Sequence, residues 1–385
     1  MKRLYLSVPA RINVLGNPSD ALEGEYHTIS MAIELRAGAW VEPAETLRFE
    51  EYRRSPEGRL ELMRRIDDPG RVLALDGQAQ LQKAALRRLA AYSPEFSQRL
   101  SAQGVCLATW TDVPRGGLGG SSLLVLLALA AMREFYQLDR RTHNDYVLAE
   151  LTQRTEALEL GITCGYADRY VPLFGGLAYV DYRGKLLQQA LDAEPYATYE
   201  RLDPYVGGLP LVVCNTGLTR DSGQVHGVMR GRYMEEYAAY ARRSRAEEAE
   251  PFMLRVMAQV GATAWRGKIA LLRGDWQTFG ALMNENHRLV DEMMAYCGFQ
   301  GGAGEEPNRL IGSALAGGAL GAKLTGAGGG GTVFALAWPG REAEVAEALA
   351  RAAQELGLSE ATVFVPRLAR QGLLVAEGRE PSTGA

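Results

Sequence analysis

Between Pro114 and Met132 the chain reads PRGGLGGSSLLVLLALAAM, four glycines and two serines set directly against an unbroken run of helix formers. The apolar half predicts a buried helix rather than a membrane span, because Leu123 to Met132 would reach only about 15 Å, roughly half a bilayer core. The glycine half predicts a tight turn whose backbone N–H groups converge on one point at the positive end of that helix. Ser121 and Ser122 fall in the first turn, where a hydroxyl caps the helix, binds phosphate or ligates a metal; the stretch alone leaves all three open. It is neither a Walker loop, since no Gly-Lys-Ser/Thr follows, nor a nucleophile elbow, since the chain has no Gly-x-Ser-x-Gly.

The flanking pattern predicts an α+β chain in two parts. Leu4, Leu6 and Val8 alternate with other residues, as do Ile29, Met31, Ile33 and Leu35, so both segments read as strands. Residues 78–92 read as a helix, VCLATW (105–110) as a strand, DYVLAELTQRTEALEL as one helix and GLAYVDY as a strand after Gly175 and Gly176. From Leu191 to Pro210 three prolines and two glycines dissolve the pattern, and we place the domain boundary there: residues 1–200, residues 201–376 and a disordered tail over 377–385. Beyond it come the strand LPLVVCN, three or four helices over 224–320, a glycine loop into the strand TVFALAW, a charged helix from Arg341 to Leu356 and the strand TVFVP.

Composition mainly excludes. A net charge of −4 over 385 residues gives no reason to expect nucleic acid. The four cysteines (106, 164, 214 and 297) form no Cys-x-x-Cys pair, which argues against a disulfide framework or zinc site and for a reducing, cytoplasmic compartment. Pro9 and Arg11 interrupt the apolar opening MKRLYLSVPARINVLG, so a signal peptide is not expected. No membrane partner is expected either, and a homodimer is compatible with the chain.

Two more glycine-rich elements stand out. KLTGAGGGGTVFAL contains Gly326-x-Gly328-x-x-Gly331, the formal spacing of a dinucleotide fingerprint, but it leads into a strand instead of a helix, so that match is false. Such a run of small residues suits close backbone approach to a ligand, or a flexible connector. GITCGYADRYVPLFGGLAYVDY carries Asp168 beside Arg169, a pair that elsewhere reads as a solvated surface feature.

Taken in order, PARINVLGNPSD, GLGGSS before an apolar helix, GITCGYADRY…FGG and KLTGAGGGG resemble the motifs of the GHMP small-molecule kinases across nearly the whole chain. LGNPSD, TGLTRDSGQVHGVMRGRYMEE and ALMNENHRLVDEM are similar to glucuronokinase segments, while Gly120, Leu123 and Ala167 depart from the common family pattern. The resemblance implies a two-domain fold: an N-terminal α/β domain with a left-over-right βαβ-type ATP loop, then a ferredoxin-like α+β domain. It implies ATP-dependent phosphorylation of the anomeric hydroxyl of a sugar or uronic acid, glucuronate above all, with another sugar 1-kinase as the alternative. A non-catalytic relative would not need these motifs, and the Lys-Tyr-Trp-Gly-Lys run of the family's decarboxylase branch is absent.

It also implies roles. Pro114, Gly116, Gly117, Leu118, Gly119, Gly120, Ser121 and Ser122 would wrap the ATP phosphates without a Walker lysine. Asp168 would accept the acceptor's proton, with Arg11 beside it. Ser122 and Glu156 would ligate Mg²⁺, Glu159 being the rival one helical turn on. Asn17 and Asp20 would bind the sugar, and Thr325, Gly326 and Gly328 would close over the transferring phosphate. A uronate carboxylate calls for an arginine, and Arg230, Arg232 and Arg169 are the candidates, the last already occupied by Asp168.

Overall fold

The computed structural model describes residues 3–21, 26–68, 70, 73–114, 116–218, 222–242, 249–326, 331–378 and 380. The first half runs β1 (Leu4–Leu15), β2 (His27–Ala44), β3 (Leu47–Arg54), β4 (Leu60–Asp68), α1 (Gln80–Tyr92), α2 (Pro94–Ala102), β5 (Gly104–Thr111), α3 (Gly120–Tyr136), α4 (Asp145–Arg154), α5 (Ala167–Phe174), β6 (Leu177–Asp181) and β7 (Thr198–Arg201). The short turn α6 (Asp203–Val206) leads to β8 (Leu211–Asn215), α7 (Ser222–Ala241), α8 (Phe252–Leu272), α9 (Trp276–Tyr296), α10 (Glu305–Ala316), β9 (Gly321–Thr325), β10 (Thr332–Leu336), α11 (Glu342–Glu355), β11 (Thr362–Phe364) and β12 (Leu374–Glu377).

Two sheets organise these elements. The larger has the order β12-β1-β2-β5-β3-β4, with β6 joined to β2 and β7 to β6. The smaller has the order β11-β8-β10-β9, all neighbours antiparallel. In chain order that is fourth-first-third-second, the split βαβ arrangement of a ferredoxin-like unit. Period-two alternation divides its strands between two cores: Val212, Cys214, Val333 and Ala335 pack with α10 and α11, while Leu211, Val213, Phe334 and Leu336 join the main core of the first half. One continuous apolar body therefore fixes the two sheets against each other.

The predicted helix α3 is the spine of the first half. Its side chains from Leu123 to Met132 are buried almost without exception, because it packs on β1, β2 and β5 and is covered by α1 and α4. Two boundaries differ from the expected ones. The helix expected through DYVLAELTQRTEALEL is α4 followed by a π-helical turn over Thr155–Glu159. The tail expected from residue 377 begins inside a strand, since β12 pairs with β1 and Glu380 with Arg54; residues 381–385 lie outside the described residues. Among the described residues, no helix is long and apolar enough to cross a membrane.

Candidate active site

A cavity of about 640 Å³ opens between the two halves. β1 supplies its floor. Val8, Ala10, Ile12 and Val14 enter the core, and alternation turns Arg11 and Asn13 to the cavity. Both are buried polar residues that pay for desolvation only if paired, and both are. Arg11 grips Asp168 in a two-pronged ion pair, Nε donating to Oδ1 at 2.5 Å and Nη2 facing Oδ2. Its Nη1 donates to the Gly117 carbonyl oxygen at 2.5 Å, and Asn13 Nδ2 reaches Asp168 Oδ1 at 3.4 Å. One arginine thus ties the glycine turn to the carboxylate.

Asp168 lies in the first turn of α5, where free helix N–H groups favour an anion. Burial by itself raises its pKa, but Arg11 and Arg169, with hydrogen bonds from Arg11 and Asn13, more than offset this and hold it at about 2. Asp20 goes the other way. It is buried, its Oδ2 accepts from the Ala167 N–H at 3.0 Å, and burial together with the Asp168 charge raises its pKa. It caps a helix far along the chain rather than its own turn. Asn17 lines the same wall, its Oδ1 accepting from Lys323 Nζ at 2.7 Å.

The glycine turn precedes α3, whose N-cap is Gly119 at φ 87° with no side-chain cap, so neither serine caps the helix. Pro114, Gly116, Gly117, Gly119, Gly120, Ser121 and Ser122 line the cavity, whereas Leu118 is fully buried in the core and anchors the turn from behind. Ser122 Oγ donates to Glu156 Oε1 at 3.1 Å, and the other Glu156 oxygen pairs with Arg169 Nη2. Glu159 faces away, paired with Arg87 and Arg88 of α1. In a regular α-helix residues i and i+3 share a face; the π-turn separates these two, and it is Glu156 that lines the cavity.

From the second half come Gly223 and His226 of α7, Thr325, Gly326 and Gly331. Thr325 Oγ1 is buried with no hydrogen-bond partner among the described residues. Gly328 lies outside the described residues. The arginine candidates fare differently. Arg232 points outward, about half exposed, stacked on Tyr296 and paired with Glu236 and Glu235. Arg230 is half-buried one turn beyond His226 and does not line the cavity. Arg169 lines it, but its main partner is Glu156 and not Asp168, whose Oδ2 is 3.7 Å away.

Sequence reasoning missed several wall residues. Asn13 was legible as the next cavity-facing position after Arg11 on β1. His226 stands one helical turn before Arg230 in a segment read for its arginines. Behind the wall, Lys323 lies two residues before Thr325 and donates to Asn17; burial brings its pKa down to about 7, with Asp20 opposing.

Residues 80–176 match the GHMP kinases N terminal domain and residues 268–356 the GHMP kinases C terminal domain. A probable glucuronokinase 2 of Arabidopsis thaliana is 30% identical over 334 residues, 84% of this chain and 82% of that protein. The chain belongs to the GHMP kinases. A mevalonate kinase of Pyrococcus abyssi is also 30% identical, over 72% of this chain and 70% of its own. The Lactococcus lactis galactokinase solved with galactose shares the fold, with a TM-score of 0.73 at 18% identity over 97% of this chain and 95% of that one. As a GHMP kinase the protein is a phosphotransferase with an alcohol acceptor, and the family implies ATP as donor.

Proposed function

We propose that this GHMP kinase transfers the ATP γ-phosphoryl group to the anomeric hydroxyl of a uronic acid, glucuronate to glucuronate 1-phosphate. The observation that carries the kinase chemistry is the convergence of Asp168, Arg11 and the open N-terminus of α3 on one cavity. The uronate assignment is supported by the extent of similarity to proteins named glucuronokinases, including a second one from Arabidopsis at 29% identity over 84% of this chain.

Phosphoryl transfer asks the protein mainly for positioning and charge balance. The turn from Gly116 to Gly120 and the first N–H groups of α3 receive the phosphates. Asp168 accepts a hydrogen bond from the attacking hydroxyl. A carboxylate with a pKa of about 2 is a weak base, so it orients the oxygen and takes the proton only late, as the bond to phosphorus forms. Arg11 stays between carboxylate and phosphoryl group and offsets the charge that develops there.

The donor set fits Mg²⁺. Ser122 and Glu156 offer hard oxygens 3.1 Å apart beside the phosphate turn, a donor pair that suits a cation held largely through nucleotide phosphates. When bound, Mg²⁺ neutralises phosphate charge. Glu156→Gln is expected to raise the Mg²⁺ concentration for half-maximal rate about tenfold, and Glu159→Gln to leave it unchanged. The reverse result would move the metal to the other glutamate.

The substrate reading is tested by ADP release with Mg-ATP against glucuronate, galacturonate, glucose, galactose, arabinose, a heptose phosphate and mevalonate. We expect kcat/KM for glucuronate to exceed that for the neutral hexoses at least about tenfold, since an enclosed carboxylate recognised by the protein contributes on the order of 1.5–3 kcal/mol. Equal values would leave a general sugar 1-kinase.

A further inference from the structure

We propose that His226 binds the carboxylate of an acidic acceptor and takes up a proton as it does so. The inference rests on the uronate reading and adds the residue that recognises the acid. Among the described residues lining the cavity, the permanent cations are Arg11 and Arg169, and carboxylates already hold both. Among these described residues an incoming carboxylate therefore finds three carboxylates, Asp20, Glu156 and Asp168, and no uncommitted guanidinium. A partner for it among them has to become positive as it binds.

His226 meets that need by position. It lies on the face of α7 that lines the cavity with Gly223, and the helix approaches the first half closely, since a Cβ on Gly227 would sit 3.5 Å from Thr163 Oγ1. Its ring Nδ1 is buried without a hydrogen-bond partner among the described residues. The charged groups acting on it are Asp168 and Arg169 on α5 and Arg11 on β1, while Asp20, Glu156 and Cys164 line the same cavity. Burial pushes its pKa down to about 4, with Arg169 and Arg11 acting the same way and Asp168 opposing, so the ring is neutral at neutral pH. An acceptor carboxylate at hydrogen-bond distance favours the charged ring, and binding then draws a proton from solvent. A neutral sugar gives no such pull. The residue thus separates acidic from neutral acceptors without adding a third fixed positive charge to Arg11 and Arg169 beside Asp168.

The test is calorimetric titration of glucuronate into the full-length protein carrying Mg²⁺ and a non-hydrolysable ATP analogue, at pH 6.5 in buffers of different ionisation heat. Wild type is expected to take up about one proton on binding. Its KM for glucuronate should rise by up to about tenfold per pH unit on the alkaline side, with KM for glucose flat. In His226→Gln, and in His226→Asn should the first prove unstable, the proton uptake and pH slope should vanish. KM for glucuronate should then rise about tenfold, with KM for ATP and the melting temperature unchanged. A wild type that prefers glucuronate but binds it without proton uptake, or variants that keep both uptake and slope, would overturn the role of His226 and leave the uronate reading standing. A wild type with no preference for acids would remove that reading first, and this one with it.

Discussion

Asp168→Asn is expected to lower kcat by about two orders of magnitude or more, with the affinity for ATP nearly intact. The asymmetry follows from what the carboxylate touches. In the proposed mechanism Asp168, held by Arg11 and Asn13, faces the acceptor, whereas the groups that face the phosphates are backbone N–H groups of the glycine turn. Asparagine keeps the shape and one acceptor oxygen, so Arg11 retains a partner, but the charge that orients the hydroxyl and receives its proton is gone. The same change alters stability in a direction that pH exposes. Because the folded-state pKa of Asp168 lies below the ordinary carboxylate value, its ion pair contributes stability that is fully present above about pH 4 and lost as pH falls towards about 2. The melting-temperature deficit of the variant should therefore be constant near neutrality and shrink on acidification. Near-normal turnover in the variant would remove Asp168 from the mechanism; a loss of ATP affinity as large as the loss of kcat would make it a structural residue of the cleft.

What the sequence disclosed was local, and what it hid was long-range or irregular. The buried helix α3, the turn before it and the alternation of β1 are written in neighbouring residues, and they carry Arg11, Ser122 and the backbone of the glycine turn. The hairpin β3–β4 was not visible, because β4 is an edge strand exposed along most of its length, with charged residues where alternation would show apolar ones. Which of Glu156 and Glu159 lines the cavity turns on a π-turn, for which residue types give no signal. Asp20 capping α5, Glu156 taking Arg169, and Lys323 reaching Asn17 join residues from 13 to over 300 positions apart, and only the packed fold brings them together. The outward turn of Arg232 is a matter of helical phase: it lies two residues past Arg230 and so about 200° around α7.

The contact between the first and third glycine runs makes the cleft vulnerable at one backbone position. Gly117 has φ 95°, a conformation that L side chains rarely adopt, and a Cβ there would lie 2.7 Å from the Thr325 carbonyl oxygen. The opposing residue is equally tight, since a Cβ on Gly326 would meet Gly117 Cα at 2.8 Å. Neither side can yield easily. The Gly117 carbonyl is held by Arg11, and the far end of the third run is held by the Thr332 hydroxyl on the Gly116 carbonyl at 2.5 Å and by Thr216 on Gly331. Gly117→Ala therefore has to displace the phosphate turn itself. The φ penalty alone is about 1–2 kcal/mol, and the backbone clash brings the cost to about 3 kcal/mol, so kcat/KM for ATP is expected to fall about 10²-fold. The overall fold should survive, because Leu118 and α3 remain anchored in the core. Gly58→Ala supplies the control: φ is 81° there too, but nothing lies within 4 Å of the added Cβ, so it should lower stability by about 1 kcal/mol and leave nucleotide kinetics untouched. If Gly117→Ala behaves like Gly58→Ala, the two glycine runs do not meet closely in the working enzyme, and the phosphate turn is held by Arg11 and α3 alone.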